Sequence, residues 1–215
     1  MQQESKLVQS LIREVQSGKS SAFEQLYGTH VSRIYTFGLK FFKQNKPAAE
    51  ELTKRVFISA FQQINVYPEN ETFILWLRMI AVYEVRNVDI EESIEQHETG
   101  AIEEAIFSLP VEERVIFILH DIEKLQNEEI TLITKDTVEH INIVLGNARK
   151  LMMNKLNVKR LDDLDYKASF LPKKIQPGPE LWKAILKEII KSKPEKQEER
   201  GGIGKKLKGL FKKKS

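Results

Sequence analysis

Side chains equipped for catalysis or metal binding are scarce in this sequence and poorly spaced. The absence of cysteine removes thiol nucleophiles, disulfide scaffolds and cysteine-based zinc fingers together. The four histidines stand at His30, His97, His120 and His140, none three to five residues from another, so a histidine-rich metal site is not expected. His120 adjoins Asp121, but consecutive side chains on a helix point apart, so no base–acid couple is expected there. The many carboxylates of residues 91–129 include no pair that stands out from a solvated acidic face. Gly201-Gly202-Ile203-Gly204 lacks both the strand context and the Lys-Ser/Thr of a phosphate-binding loop. Neither an enzyme nor a cofactor nor a metal is expected.

Charge is more informative than catalytic chemistry. The 215 residues carry a formal net charge of only +3, yet residues 1–90 hold 11 Lys/Arg against 9 Asp/Glu, residues 91–165 hold 8 against 17, and residues 166–215 hold 15 against 5. An acidic middle is thus followed by a basic tail. Affinity for nucleic acid draws heavily on Lys and Arg against phosphates, so residues 91–165 start poorly equipped for it. No apolar run approaches a membrane span and MQQESKLVQS has no signal-peptide pattern, so the cytoplasm is the expected compartment.

The elements that must position any site read as helices. Leu7, Val8, Leu11, Ile12 and Val15 form an amphipathic stripe that stops near Ser17-Gly18, and a longer stripe runs from Ala22 and Phe23 to Leu39 and Phe42. Pro47 suits the first turn of a third helix, whose Leu52, Val56, Phe57, Ala60, Phe61 and Ile64 share a face. Phe73, Trp76, Leu77, Ile80 and Ala81 mark a fourth. The acidic stretch Asp89 to Gly100 reads as a linker. Three further helices follow: Ala101 to Leu109, Pro110 to about His120, and Glu128 to Thr134. A longer one then starts near Asp136, with Asp136-Thr137-Val138-Glu139 in the form of a capping box. Short helix, tight turn, longer helix is the helix-turn-helix pattern. In the tail, Pro179 opens an amphipathic helix with Leu181, Trp182, Ile185, Leu186, Ile189 and Ile190, for which docking on the body is one reading and docking on another protein the other. Residues 203–214 hold six lysines and no acid, fit for nucleic acid, an acidic protein or another anionic surface. The expected architecture is all-α: a helical domain at 1–88, a linker at 89–100, a helix-turn-helix domain at 101–160, and a basic tail at 161–215 with its helix near 180–190.

The segments AFEQLYGTHVSRIYTFGLKFF, AAEELTKRVFISAFQQI and ETFILWLRMIA resemble, in order and spacing, the first domain of bacterial RNA polymerase sigma factors of the ECF type. SLPVEERVIFILHDIEKLQNEEIT and DTVEHINIVLGNARKLM resemble their second domain, and the likeness spans roughly residues 5–156, leaving the tail unexplained. The resemblance implies a protein that binds polymerase core through its first domain, melts the promoter's minus-ten element there, and reads the minus-35 element with a recognition helix.

Carried over residue by residue, the resemblance assigns Glu50, Glu51, Lys54 and Arg55 to polymerase. Arg55 stands where the family usually has an acid that pairs with basic clamp groups, which reverses the sign of that contact. It assigns Tyr67, Asn70, Trp76 and Arg78 to promoter melting, although Trp76 also continues the apolar stripe of Phe73 and Ile80. On the recognition helix it assigns Asn142, Asn147, Arg149 and Lys150 to promoter DNA, the asparagines suited to adenine and the two cations to phosphate. Val138, Ile141, Leu145 and Ala148 form the expected inward stripe. Ile143 and Val144 fall on the outward face, where an apolar protein partner is a better match than a base edge. Lys135 replaces the usual turn glycine, and a left-handed residue is expected there. The leading expectation is a transcription initiation factor. The alternative is a sigma-like interaction module that no longer directs transcription.

Overall fold

The computed structural model describes residues 5–87, 100–161 and 175–191. Among them every regular element is helical. α1 (Lys6–Gln16) starts at Ser5, whose hydroxyl accepts the Val8 amide at 3.3 Å, and it closes at Gly18, the one described glycine with a positive φ, of 98°. α2 (Ser20–Phe41) is the long central rod. α3 (Lys46–Gln62) is capped by Asn45, whose Oδ1 accepts the Ala48 amide at 2.8 Å, with Pro47 in the first turn as expected. A 3₁₀ turn (Ile64–Val66) leads towards α4 (Phe73–Asn87). Then come α5 (Ala101–Phe107), α6 (Val111–Phe117), a π turn (Ile118–Ile122), α7 (Asn127–Thr134), α8 (Val138–Leu156) and α9 (Pro179–Lys191).

Periodicity located the helices well but not every face. Leu7 is 67% exposed, and the inner face of α1 is Val8, Leu11, Ile12 and Val15. On α8 the expected inward Val138 is 37% exposed while Val144 is buried, so the stripe is Ile141, Val144, Leu145, Ala148 and Met152. The cap explains the difference: Thr137, not Asp136, accepts the His140 amide, which leaves Val138 as the first helical residue, at the solvent edge. A reciprocal capping contact occurs one helix earlier, where the Gln126 amide donates to Glu129 at 3.1 Å.

One apolar cluster runs from α1 through α9, so the helices before residue 88 and those after residue 99 share a core. α2 and α3 approach closely at Gly38, where a Cβ would lie 3.0 Å from the Ala49 Cα. Aromatic rings fill the centre: Phe23 meets Phe61 at 5.2 Å and Tyr27 meets Phe57 at 4.9 Å between centroids. Arg114, itself buried, lies over Phe41 and Phe107 at 4.7 and 4.5 Å, and its Nη2 donates to the Leu109 carbonyl at 3.0 Å. The expected linker, apart from Gly100, and the basic segment 203–214 lie outside the described residues.

His30 sits in this core at 4% exposure, with neither ring nitrogen hydrogen-bonded among the described residues. Burial, helped by Arg33, lowers its pKa to about 4. Below pH 6.5 the unfolded chain takes up a proton that the folded chain refuses. Stability is therefore expected to fall as pH drops from 6.5 towards 4, by about 3 kcal/mol in all. Urea unfolding at pH 7 and pH 5 measures it, and His30→Phe should flatten the difference. An unchanged pH dependence in that variant would assign the loss to the carboxylates instead.

Candidate functional site

α7 and α8 are the pair expected to form a helix-turn-helix, and the short turn between them is left-handed at Lys135, with φ 63° and ψ 21°, where glycine would have been unstrained. The Lys135 ammonium reaches Glu71 at 3.6 Å. On the outer face of α8, Asn142, Asn147 and Lys150 are exposed, and Asn142 Oδ1 accepts from Asn127 Nδ2 at 3.2 Å. Ile143 is 63% exposed, whereas Val144 is buried and is not available to a partner.

Arg149, expected at a phosphate, forks onto Asp121 instead, with Nε and Nη2 donating at 2.8 and 2.6 Å. Asp121 also meets His120 Nδ1 at 2.8 Å, contrary to the expectation that these neighbours point apart. The π turn is the reason, since its wider winding departs from regular α-helical phase. Burial alone would raise the Asp121 carboxyl, but the hydrogen bonds from Arg149 and His120 outweigh it and hold the carboxyl below its ordinary value. With both carboxylate oxygens engaged by Arg149, Asp121 acts as an anchor for α8.

The expected melting residues separate in the same way. Trp76 is 1% exposed and Tyr67 is buried against it, ring centroids 5.3 Å apart, with the Tyr67 hydroxyl donating to the Glu71 carbonyl. Neither offers a face for a base to stack on, which corrects the expectation for both. Arg78 donates to Glu123 at 2.6 Å, and Lys40 reaches the other oxygen of the same carboxylate at 3.4 Å. Glu123 and Lys40 are each only 7% exposed, so this triad is a buried clasp between α2, α4 and the segment after the π turn. Asn70 is exposed. It borders a cleft of about 660 Å³ between α4 and α7, lined also by Arg33, Ile74, Arg78, Leu125 and Leu132.

On α3, Glu51 holds both Lys54 and Arg55, the latter through Nε at 2.9 Å. Burial would raise the Glu51 carboxyl, but hydrogen bonds from the two cations bring it below its ordinary value. Arg55 also acts on Glu84, a buried acid of α4 whose carboxyl is pushed up by burial and which accepts from Ser59 at 3.4 Å. The reversed charge at Arg55 is thus answered within the fold. Glu50 lies near Tyr27, whose phenol is pushed up to about 12 by burial and then by that carboxylate. The same Tyr27 stacks on Trp182 of α9 at 4.7 Å, so the tail helix is docked on the body beside the expected polymerase surface.

Spacing along the chain could not reveal one further cluster. Glu112 of α6 joins Asp136 and His140, four residues apart at the start of α8, and the three bring a ligand atom each within 4.8 Å of one another. The Arg86 guanidinium pairs with Asp136 at 3.2 Å and with Glu112 at 3.7 Å, and so supplies the positive charge that the acids require. The group is another crossing between the two halves of the chain.

No protein-family model and no curated protein matches the sequence. Among solved structures, the chain is similar to CnrH in its complex with the cytosolic domain of CnrY, with 16% identity and a TM-score of 0.55 over 71% of this chain and 98% of that one. It is also similar to the sigma factor RpoE in complex with the anti-sigma factor NepR from Bartonella quintana, with 17% identity and a TM-score of 0.52 over 64% of this chain and 98% of that one. With every regular element among the described residues helical, this similarity gives the chain a sigma-factor-like, all-α fold.

Proposed function

We propose that the chain binds RNA polymerase core through α3 and takes part in transcription initiation as a sigma-type factor without enzymatic activity of its own. The observation that carries this reading is the helix order, with the charged edge Glu50, Glu51, Lys54 and Arg55 part-exposed on α3 and the Asn142–Asn147–Lys150 face exposed on α8. Promoter contact from α8 is weak in this reading. Arg149 is committed to Asp121, and lysine and arginine supply most of the affinity for phosphates.

The same commitments favour a second reading, a sigma-like module that binds a protein partner and has given up promoter recognition. Tyr67 and Trp76 are in the core and Arg78 is held by Glu123, while Ile143 stands out from α8 between Asn142 and Asn147. Both similar structures are complexes with another protein, the cytosolic domain of CnrY in one and the anti-sigma factor NepR in the other.

Titration of purified bacterial core polymerase with the full chain, at low and moderate salt, separates the two. Saturable binding is expected for the sigma-type factor. Its absence at both salts leaves the interaction module. Arg55→Glu restores the sign of the usual contact and is expected to raise core affinity about ten-fold, since like charges at an interface disfavour association. A fall instead would show that the Glu51–Arg55 pair is itself part of the docking surface.

A further inference from the structure

α9 docks on α3 through an apolar seat. Leu181, Ile185 and Ile189, spaced i, i+4, i+8, are all buried, and Ile185 is 0% exposed. Trp182 stacks on Tyr27, and Tyr27 packs edge-on against Phe57 of α3. Ahead of the helix, the Ser32 hydroxyl donates to the Ile175 carbonyl at 3.1 Å and pins the entry of the segment to α2. Along α3, Glu50, Lys54 and Phe57 follow i, i+4, i+7 and share one strip. Phe57 of that strip packs on Tyr27, and Tyr27 on Trp182, so the strip runs beside α9. α9 therefore lies next to two of the four residues assigned to polymerase.

The chemistry of the seat is unselective. The ion pairs of Lys183 and Lys191 run along α9 itself, to Glu180 at 2.8 Å and Glu188 at 3.1 Å. An amphipathic helix in an apolar groove is held by non-directional burial, so a second helix with apolar residues at the same spacing fits the same seat. Only residues 162–174 connect the described end of the body at Leu161 to Ile175. A tethered occupant acts at an effective concentration on the order of millimolar, well placed to oppose a partner from solution.

Resting on the polymerase-binding reading, we propose that the groove on α2 and α3 is a helix-docking surface whose resident occupant is α9, and that α9 competes in cis with polymerase core for it. The apparent affinity for core is then the affinity of the open form reduced by the fraction of chains that are open. Anything that lifts α9 raises it, and anything that fastens α9 lowers it.

Three full-length variants test this against purified core polymerase. Ile185→Asp puts a charge into the seat and is expected to bind core at least ten-fold more tightly than the native chain. Trp182→Ala, at a part-buried position on the edge of the core, should move in the same direction by less. A Ser32→Cys, Ile175→Cys pair, in a chain that has no other cysteine, is joined by a short bis-thiol-reactive crosslinker, and the crosslinked protein is expected to bind at least ten-fold more weakly than the same protein before crosslinking. Circular dichroism of each variant confirms that the body remains helical. Native, Ile185→Asp and Trp182→Ala chains binding core with equal affinity would leave the polymerase reading intact and overturn the competition. Absence of binding by the native chain and by both released variants would overturn the polymerase reading and the competition with it.

Discussion

Glu123→Ala is expected to destabilise the protein by about 3–5 kcal/mol, because it removes one member of a buried ionic group and leaves the others charged. Glu123 receives Arg78 at 2.6 Å and Lys40 at 3.4 Å, and water reaches little of any of the three. A domain of this size has a total stability of roughly 5–15 kcal/mol, so the loss is a large share of it. The contrasting variant replaces all three residues with methionine. Exchanging a whole buried ionic group for apolar side chains of similar volume is often neutral or better, so the triple variant should stand well above Glu123→Ala in urea unfolding. A loss below about 1 kcal/mol in the single variant, the range of exposed pairs, would mean that the halves part in solution and that the clasp is wet.

Trp76→Ala should cost a similar amount, about 3–5 kcal/mol, through the cavity it leaves between α4 and its neighbours. Trp76 contacts the rings of Tyr67 and Phe73 at 5.3 and 5.7 Å and is 1% exposed. The sign of the experiment discriminates between two roles. A tryptophan that stacks on single-stranded DNA is exposed in the free protein, and removing it leaves the melting curve in place while weakening DNA binding. A core tryptophan does the reverse. Thermal unfolding of the variant beside its binding to a single-stranded oligonucleotide reads both, and an unchanged melting temperature would return Trp76 to the DNA surface.

Helix positions were legible because their cause is local. An apolar residue every three or four positions and a proline at position 47 are both written within one turn of the chain. The left-handed residue at Lys135 was implied by the resemblance, which puts a glycine at that turn. What the sequence concealed depends on partners far away. Arg78 reaches Glu123 and Arg149 reaches Asp121 across 45 and 28 residues, and no local pattern distinguishes a cation bound for an acid from one kept for phosphate. On α8 the inner face of Ile141, Leu145 and Ala148 was legible, and Val144, three residues after Ile141 and four before Ala148, joins it, while Val138 falls at the solvent edge as the first helical residue. His120 and Asp121 met because the winding between α6 and α7 is not α-helical, a change that residue spacing alone does not announce. The docking of α9 was one of two readings of its stripe, and the aromatic contact between Trp182 and Tyr27 selects it.

The π turn at Ile118–Ile122 also bears on how this chain can change length. Such a turn amounts to an α-helix that has accepted one extra residue. Losing a single residue there is met by a return to ordinary winding, because the wide turn is what keeps its two flanks in phase around the extra residue. Glu123 would keep Lys40 and Arg78, and the contact between His120 and Asp121, which depends on the wide turn, would be the casualty. A deletion inside a regular helix has no such reserve and turns everything downstream by about 100°. A reading-frame-neutral loss of one codon should therefore be far better tolerated at this turn than inside α2 or α3.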